Sequence, residues 1–196
     1  MAAKRLAPHP PGDGVGPCGT LSGVISVCAV LAGEEDDTTV GRLLPVFRTN
    51  REYLVLARDI TEGAEITADL VRAHLRAGAQ FAGGRSLLLL ADGEVVGTAS
   101  LLVPHPREPY PWIGLLLVHG ERQRHGLGGR AVAVLEEGLA AEGWPEVRIG
   151  VLDANARGLA FWTALGYVRY DARPDSEGRP CQVLRKVLAA PVGTDG

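Results

Sequence analysis

From Gln123 to Gly129 the chain reads Gln-Arg-His-Gly-Leu-Gly-Gly, and from Leu127 onward Ala131, Leu135 and Leu139 recur four apart. Glycine carries no Cβ, so such a loop turns tightly and lets a ligand approach the backbone. The first N–H groups of the helix that follows have no partners within it and lie at the positive end of its dipole, which suits a pyrophosphate. The plainer reading is a glycine-rich turn that starts a helix. A second segment runs from Asn155 to Tyr167, with Asn155 placed to cap a helix, Phe161 and Trp162 adjacent within it, and Gly166 placed to stop it. Alone, this segment reads as a capped helix with a buried aromatic.

These segments need a sheet to position them. Trp112–Val118 is a continuous apolar run, the pattern of a buried strand. Val147, Ile149 and Val151 alternate with Arg148 and Gly150 as another strand, lying between the two helices. Upstream, Ser86–Ala91 and Val95–Leu102 flank Asp92-Gly93, a hairpin signal, and Val24–Leu31 is apolar and β-branched enough for a first strand. Val40, Leu43, Leu44, Phe47 and Leu54 predict one helix from Thr39 to Leu56, with Asp36, Asp37 and Thr38 as capping candidates. Thr67 caps a further helix running to Leu75. Tyr167–Asp171 and Gln182–Leu188 close the order as strands, a hairpin across Pro174–Pro180. The order β-α-α-β-β-β-α-β-α-β-β predicts an α/β (α+β) fold, with a mixed, mostly antiparallel sheet of about six to seven strands flanked by about four helices. Residues 1–20, rich in proline and glycine, read as a disordered tail, 21–190 as the domain and 191–196 as a second tail.

Apolar residues make up 46% of the chain and charged residues 22%, a globular balance, and 196 residues suffice for one well-buried core. A net charge of −3 and a pI near 6.0 argue against a nucleic-acid partner. Cys18, Cys28 and Cys181 form no CxxC or Cys/His cluster, so neither a disulfide scaffold nor a metal site is expected, and a reducing cytoplasm is the simplest location. The apolar run from Leu21 to Gly33 is too short to span a bilayer and too far from Lys4 and Arg5 for a secretory signal, so no membrane partner is expected.

Taken together, Gln123-x-x-Gly126-x-Gly128 between a strand and a helix, then Asn155…Trp162…Gly166-Tyr167 after the next strand, resemble the signature of the GNAT superfamily of N-acetyltransferases. The resemblance is strongest over Trp112–Tyr170, and the order of elements extends it to about residues 24–188. It implies a single GNAT-like domain that uses acetyl-CoA as co-substrate and acetylates a primary amine of a small molecule or peptide; relatives often form homodimers. By the same resemblance, the strand before the glycine loop splays from its parallel neighbour, and Leu116, Leu117 and Val118 line the gap for the pantetheine arm. Main-chain N–H groups of Gln123, Arg124, His125, Gly126, Leu127, Gly128 and Gly129 would cradle the pyrophosphate, with Arg124 or Arg130 near phosphate charge. Asn155, Phe161 and Trp162 would lie near the distal arm and thioester.

The chemistry asks for a neutral amine, a donor for the oxyanion and release of a thiolate. The resemblance gives the donor as the Val118 backbone N–H. Many family members place a tyrosine acid where this chain has Trp162, and an indole is no proton source near neutral pH. Tyr167 or Tyr170, or water, then becomes the candidate acid. Glu108, just before Trp112–Val118, is the candidate base; His119 and Glu121 lie at the other end of that strand, and His125 fits a phosphate contact better. The acceptor pocket is expected from helices over 47–56 and 67–75 and the loop Pro104–Pro111, with His105 in that loop and Asn50, Arg51 and Glu52 as candidate contacts. The acidic net charge favours cationic acceptors. A GNAT-fold module that binds acyl-CoA without transfer is one rival. A dinucleotide-binding oxidoreductase is another, but its fingerprint turns directly off its strand, whereas residues 119–125 intervene here.

Overall fold

The computed structural model of the protein describes residues 25–30 and 35–189. The expected tails at 1–20 and 191–196 lie outside the described residues, as do the outer residues of the expected strand Val24–Leu31. Seven strands form one sheet: β1 (Ile25–Val30), β2 (Gly84–Ala91), β3 (Glu94–Leu102), β4 (Trp112–Val118), β5 (Glu146–Leu152), β6 (Val168–Pro174) and β7 (Pro180–Val187). Their order is β1-β2-β3-β4-β5-β7-β6. Every neighbouring pair is antiparallel except β4–β5. The expected hairpin forms, with Asp92 (φ 51°) and Gly93 (φ 79°) both left-handed, as a two-residue turn between twisted strands requires.

The described residues contain five α-helices: α1 (Asp37–Arg48), α2 (Arg51–Leu56), α3 (Ala68–Ala79), α4 (Leu127–Ala141) and α5 (Ala156–Ala164). None is long and apolar enough to cross a membrane. Asp36 caps α1 by accepting the Thr39 N–H at 2.7 Å, and Thr67 caps α3 by accepting that of Leu70 at 3.3 Å. Val40, Leu43, Val46 and Phe47 of α1 meet Leu54, Ile66, Val71, Leu75 and Leu117 in one core on one face of the sheet. On the other face Leu127, Ala131, Leu135 and Leu139 of α4, with Trp162 of α5, pack over Ile113, Val147, Ile149 and Val151.

The single helix expected over Thr39–Leu56 is two. Between them Thr49 Oγ donates to the Pro45 and Val46 carbonyls, both at 3.0 Å, and Asn50 Nδ2 donates to Val46 O at 2.8 Å. Side chains thus take the Val46 carbonyl that the next helical N–H would have used, the Asn50 N–H turns to Phe47 O instead, and the chain turns. The apolar period runs through the break because α2 returns Leu54 to the same core.

Candidate functional site

β4 and β5 pair only at Trp112↔Arg148 and Ile113↔Ile149. Beyond that point β5 stays paired with β7 through Leu152↔Cys181, while β4 stays paired with β3 through Val118↔Gly97. The sheet therefore divides into halves that share one end and part at the other. Antiparallel ladders alternate residues bonded to the neighbour with residues facing away. His119 donates to Val96 O at 2.8 Å, and Leu117 lies opposite Thr98. Leu115, Leu117 and His119 thus belong to the β3 ladder, and the main-chain groups of Leu116 and Val118 face the gap.

Past a short 3₁₀ turn (Gly120–Arg122), Arg124 (φ 62°) and Gly126 (φ 76°) are left-handed and swing the chain into α4. The first intrahelical bond is Arg130 N–H to Gly126 O, at 3.1 Å. Among the described residues, the N–H groups of Arg124 through Gly129 have no hydrogen-bond partner. Arg130 folds its guanidinium over Gly126, 3.5 Å from where a Cβ would stand. A Cβ on Gly128 would lie 3.2 Å from the Phe161 ring, so the bare glycine lets α5 close against the start of α4. A row of open N–H groups, a positive helix end and a guanidinium form a cradle that fits a pyrophosphate.

A clasp fixes this loop. Asn50 Nδ2 and Gln123 Nε2 both donate to Val118 O at 2.9 Å, and Gln123 Nε2 also donates to Asn50 Oδ1 at 3.0 Å. Thr49 Oγ accepts the Gly120 N–H at 2.9 Å. With both lone pairs of its carbonyl taken, Val118 holds its peptide at a set angle and its N–H in the gap. The residues that end α1 thereby also fix the end of β4.

Where the strands part, a cavity of about 420 Å³ opens on the α1–α3 side of the sheet. Gly114 and Gly150, one from each parting strand, leave its floor bare beside Ile113 and Leu152. Tyr53 of α2, Ala57 just past its end and the loop residues His105, Arg107 and Glu108 form one wall. The β6–β7 hairpin forms the other with Arg173, Asp175, Arg179 and Cys181. His105 lies against the Trp112 ring, centroids 4.8 Å apart, and its Nδ1 accepts the Arg107 N–H at 3.2 Å. Burial holds its imidazole pKa below the usual value; Glu108 opposes this, and Arg107 and Arg173 add to it. Burial pushes the Tyr53 hydroxyl and the Cys181 thiol up.

Behind this wall Arg148 is buried, its Nε donating to Glu146 and an Nη to Glu108, both at 2.6 Å. The Tyr110 and Tyr170 rings cover it from either side, each centroid 4.4 Å from the guanidinium carbon. Glu108 also accepts from Arg173 and, at 3.2 Å, from the Trp112 indole.

Several expected site residues stand differently. Glu108, the candidate base, is held below the usual carboxylate range: burial acts to raise its pKa, but bonds and charge from Arg173 and Arg148 outweigh it. A carboxylate so engaged is a poor proton acceptor. Tyr167, the candidate acid, is 1% exposed in the core beneath α4, and its hydroxyl has no hydrogen-bond partner. Burial, then the Glu136 carboxylate, drive its pKa far up. Trp162 is core as well, edge-on to Tyr167 and Phe161 at centroid distances of 4.9 and 5.1 Å. Tyr170 covers Arg148, and neither it nor Tyr167 lines the cavity. Leu117 bonds into the β3 ladder and buries its side chain in the α1–α3 core. Leu127 buries its side chain but keeps its N–H toward the cradle. Asn155 caps α5, accepting the Gly158 N–H at 2.8 Å. The expected acceptor wall from the helix over 67–75 is replaced by the β6–β7 hairpin. Arg51 and Glu52 are exposed, and Glu52 lies 3.7 Å from Arg157.

Arg107 lies in the loop expected to line the pocket, whereas Arg173, Arg179 and Cys181 line it without a mark in the local sequence. Gly150, a glycine inside an otherwise apolar alternation, was the one signal that something approaches the backbone there.

No curated protein matches the chain by sequence. Solved structures share its shape. An acetyltransferase from Thermus thermophilus aligns over 84% of this chain and 97% of its own at a TM-score of 0.65 and 23% identity. An acetyltransferase from Salmonella typhimurium that modifies the N-terminal serine of ribosomal protein L7/L12 aligns over 86% and 97% at 0.68 and 14%. A ribosomal L7/L12 α-N-protein acetyltransferase solved in complex with coenzyme A aligns over 88% and 98% at 0.67 and 14%. The profile of the Acetyltransferase (GNAT) family matches residues 52–167, which include the parted strands, the glycine loop and both helices beside it. With more than half the chain matched and the parted sheet in place, the protein belongs to the GNAT acetyltransferase family, whose acyl donor is acetyl-CoA.

Proposed function

We propose that the protein moves the acetyl group of acetyl-CoA to a primary amine held in the cavity between α2, the Pro104–Pro111 loop and the β6–β7 hairpin. The parting of β4 from β5 beyond Ile113↔Ile149 carries this reading, because it opens between the N–H cradle on one side and the cavity on the other. The pyrophosphate takes the N–H groups from Arg124 to Gly129, with Arg124 and Arg130 as counter-charge and His125 beside them. The pantetheine amides pair with the Leu116 carbonyl and the Val118 N–H, the Val118 carbonyl being held by Asn50 and Gln123, and Phe161 packs beneath the loop. The thioester then lies near Gly114 and Gly150.

The amine nitrogen attacks the carbonyl carbon beside Gly114, and the gap-facing Leu116 N–H receives the oxygen as it becomes an oxyanion; Val118, the expected donor, lies about 13 Å along β4 from Gly114. One such fixed donor is worth about 3–4 kcal/mol in other enzymes. The C–S bond then breaks, coenzyme A leaves as a thiolate, and the proton lost by nitrogen passes to water. Glu108 is locked in ion pairs and the His105 Nδ1 lone pair is engaged, so the amine itself must be neutral on attack. The shifts of His105 and Glu108 (down) and of Cys181 and Tyr53 (up) move the titrations of these groups away from the mildly alkaline range. The rate therefore follows the acceptor's own ammonium and rises with pH.

Calorimetric titration of acetyl-CoA into the protein and into Arg130→Glu tests this reading, followed by an amine screen for thiol release. Micromolar binding by the wild type, weakened at least tenfold in the folded variant, with turnover of an amine, supports it. Binding without turnover of any amine supports the non-catalytic module instead. No binding by folded wild type overturns the donor site.

A further inference from the structure

The charges facing the cavity do not suit a cationic acceptor. Its carboxylates are Glu108 and Asp175, and both are saturated. Glu108 serves Arg148, Arg173 and the Trp112 indole. Asp175 holds Arg179 at 2.6 Å and accepts the N–H groups of Glu177 and Arg179, both at 2.9 Å. An incoming ammonium thus meets no free anion. The arginines differ: Arg173 and Arg179 have carboxylate partners, while the exposed Arg107 guanidinium has none among the described residues. With His105 neutral, the cavity presents one more cation than anion, and that cation sits at the end of the exposed Arg107 side chain.

Resting on the acetyl-transfer reading above, we infer that the acceptor is an amino carboxylate, such as a free amino acid, whose carboxylate is bound by Arg107 while its amine points to the parted strands. A guanidinium fork matches a carboxylate in two parallel hydrogen bonds, so it orients the molecule as well as attracting it. The surrounding arginines also disfavour an ammonium, which raises the share of the neutral amine that must attack. A cavity of about 420 Å³ accommodates a molecule of this size.

The test compares each of the common L-amino acids with its primary carboxamide, following thiol release with acetyl-CoA at fixed pH. A carboxamide's amine is less basic and more of it is neutral, so intrinsic reactivity favours the amide. The inference requires at least one acid to exceed its amide by tenfold or more in kcat/KM. Arg107→Ala must erase that preference through the KM of the acid, and Arg107→Lys must retain part of it; among the described residues the Arg107 guanidinium has no bonding partner. Amides equal to or better than acids overturn the inference and leave acetyl transfer standing, as does a preference that survives in Arg107→Ala. If no acid or amide reacts while calorimetry still shows acetyl-CoA binding, the acceptor class is wrong. If acetyl-CoA does not bind either, the acetyl-transfer reading has failed first.

Discussion

Glu108 joins the loop before β4 to the buried guanidinium of Arg148 on β5 and to Arg173 on β6, so its charge bears on packing more than on proton transfer. Breaking a buried ion pair from one side leaves an uncompensated charge and costs about 3–5 kcal/mol. Glu108→Gln keeps one acceptor oxygen, so a loss of about 2–3 kcal/mol in urea unfolding is expected, with kcat within about tenfold of the wild type. A fall of a hundredfold or more, the size of a lost general base, would return Glu108 to the base role. Tyr167 behaves differently. Its hydroxyl is buried beside the Glu136 carboxylate without a well-formed hydrogen bond, so Tyr167→Phe is expected to change stability by no more than about 1 kcal/mol, with turnover unchanged. A large loss of kcat with acetyl-CoA binding intact would show that the hydroxyl reaches the thiolate after all.

The gap beside β4 depends on which main-chain groups the ladder leaves over. In the free protein the amides of Leu115, Leu117 and His119 should exchange slowly with deuterium, and those of Leu116, Val118 and Arg124–Gly129 quickly. Saturating acetyl-CoA should slow the second set alone; uniform protection along β4 would contradict the register drawn here. The clasp can be probed in the same way. Asn50→Ala removes donors to Val118 O and Val46 O, and should lower kcat/KM for acetyl-CoA by about ten- to a hundredfold, the scale of a misplaced reacting group. Much of this element-level structure could be read from the sequence. Strand and helix order, the Asp92-Gly93 hairpin, the caps at Asp36, Thr67 and Asn155 and the glycine loop all leave local marks in residue type and spacing. What the sequence hid was relational. The break at Thr49-Asn50 is made by side chains that also reach β4, and an apolar period does not record that. Arg148 alternates along β5 as a solvent-facing residue would, yet Tyr110 and Tyr170 from distant segments cover it. The pocket's hairpin wall exists only because β7 inserts between β5 and β6, a strand order that chain order does not reveal.

Across the whole molecule, the halves of the sheet share β-pairing only near Trp112 and Ile113, and a donor lying between them adds contacts that the unfolded chain lacks. At a hundred times its dissociation constant acetyl-CoA should stabilise the protein by about 2.7 kcal/mol, a rise of about 5–10 °C in melting temperature. Acid works the other way. The folded-state pKa values of Glu108 and Asp175 lie below their ordinary ones, so the stability they confer is complete above the ordinary carboxylate range and is lost as pH falls through the folded values. Melting temperature should accordingly hold down to about pH 5 and then drop, with Glu108→Gln blunting part of the drop. The parted sheet also separates what evolution can alter. In the proposed reading the donor lies against β4, the glycine loop, α4 and α5, all within residues 52–167, whereas Arg173, Asp175, Arg179 and Cys181 belong to a hairpin beyond that stretch. Substitutions in the hairpin can re-tailor the acceptor without disturbing the acetyl donor, so descendants of this chain could change diet while keeping the same reaction.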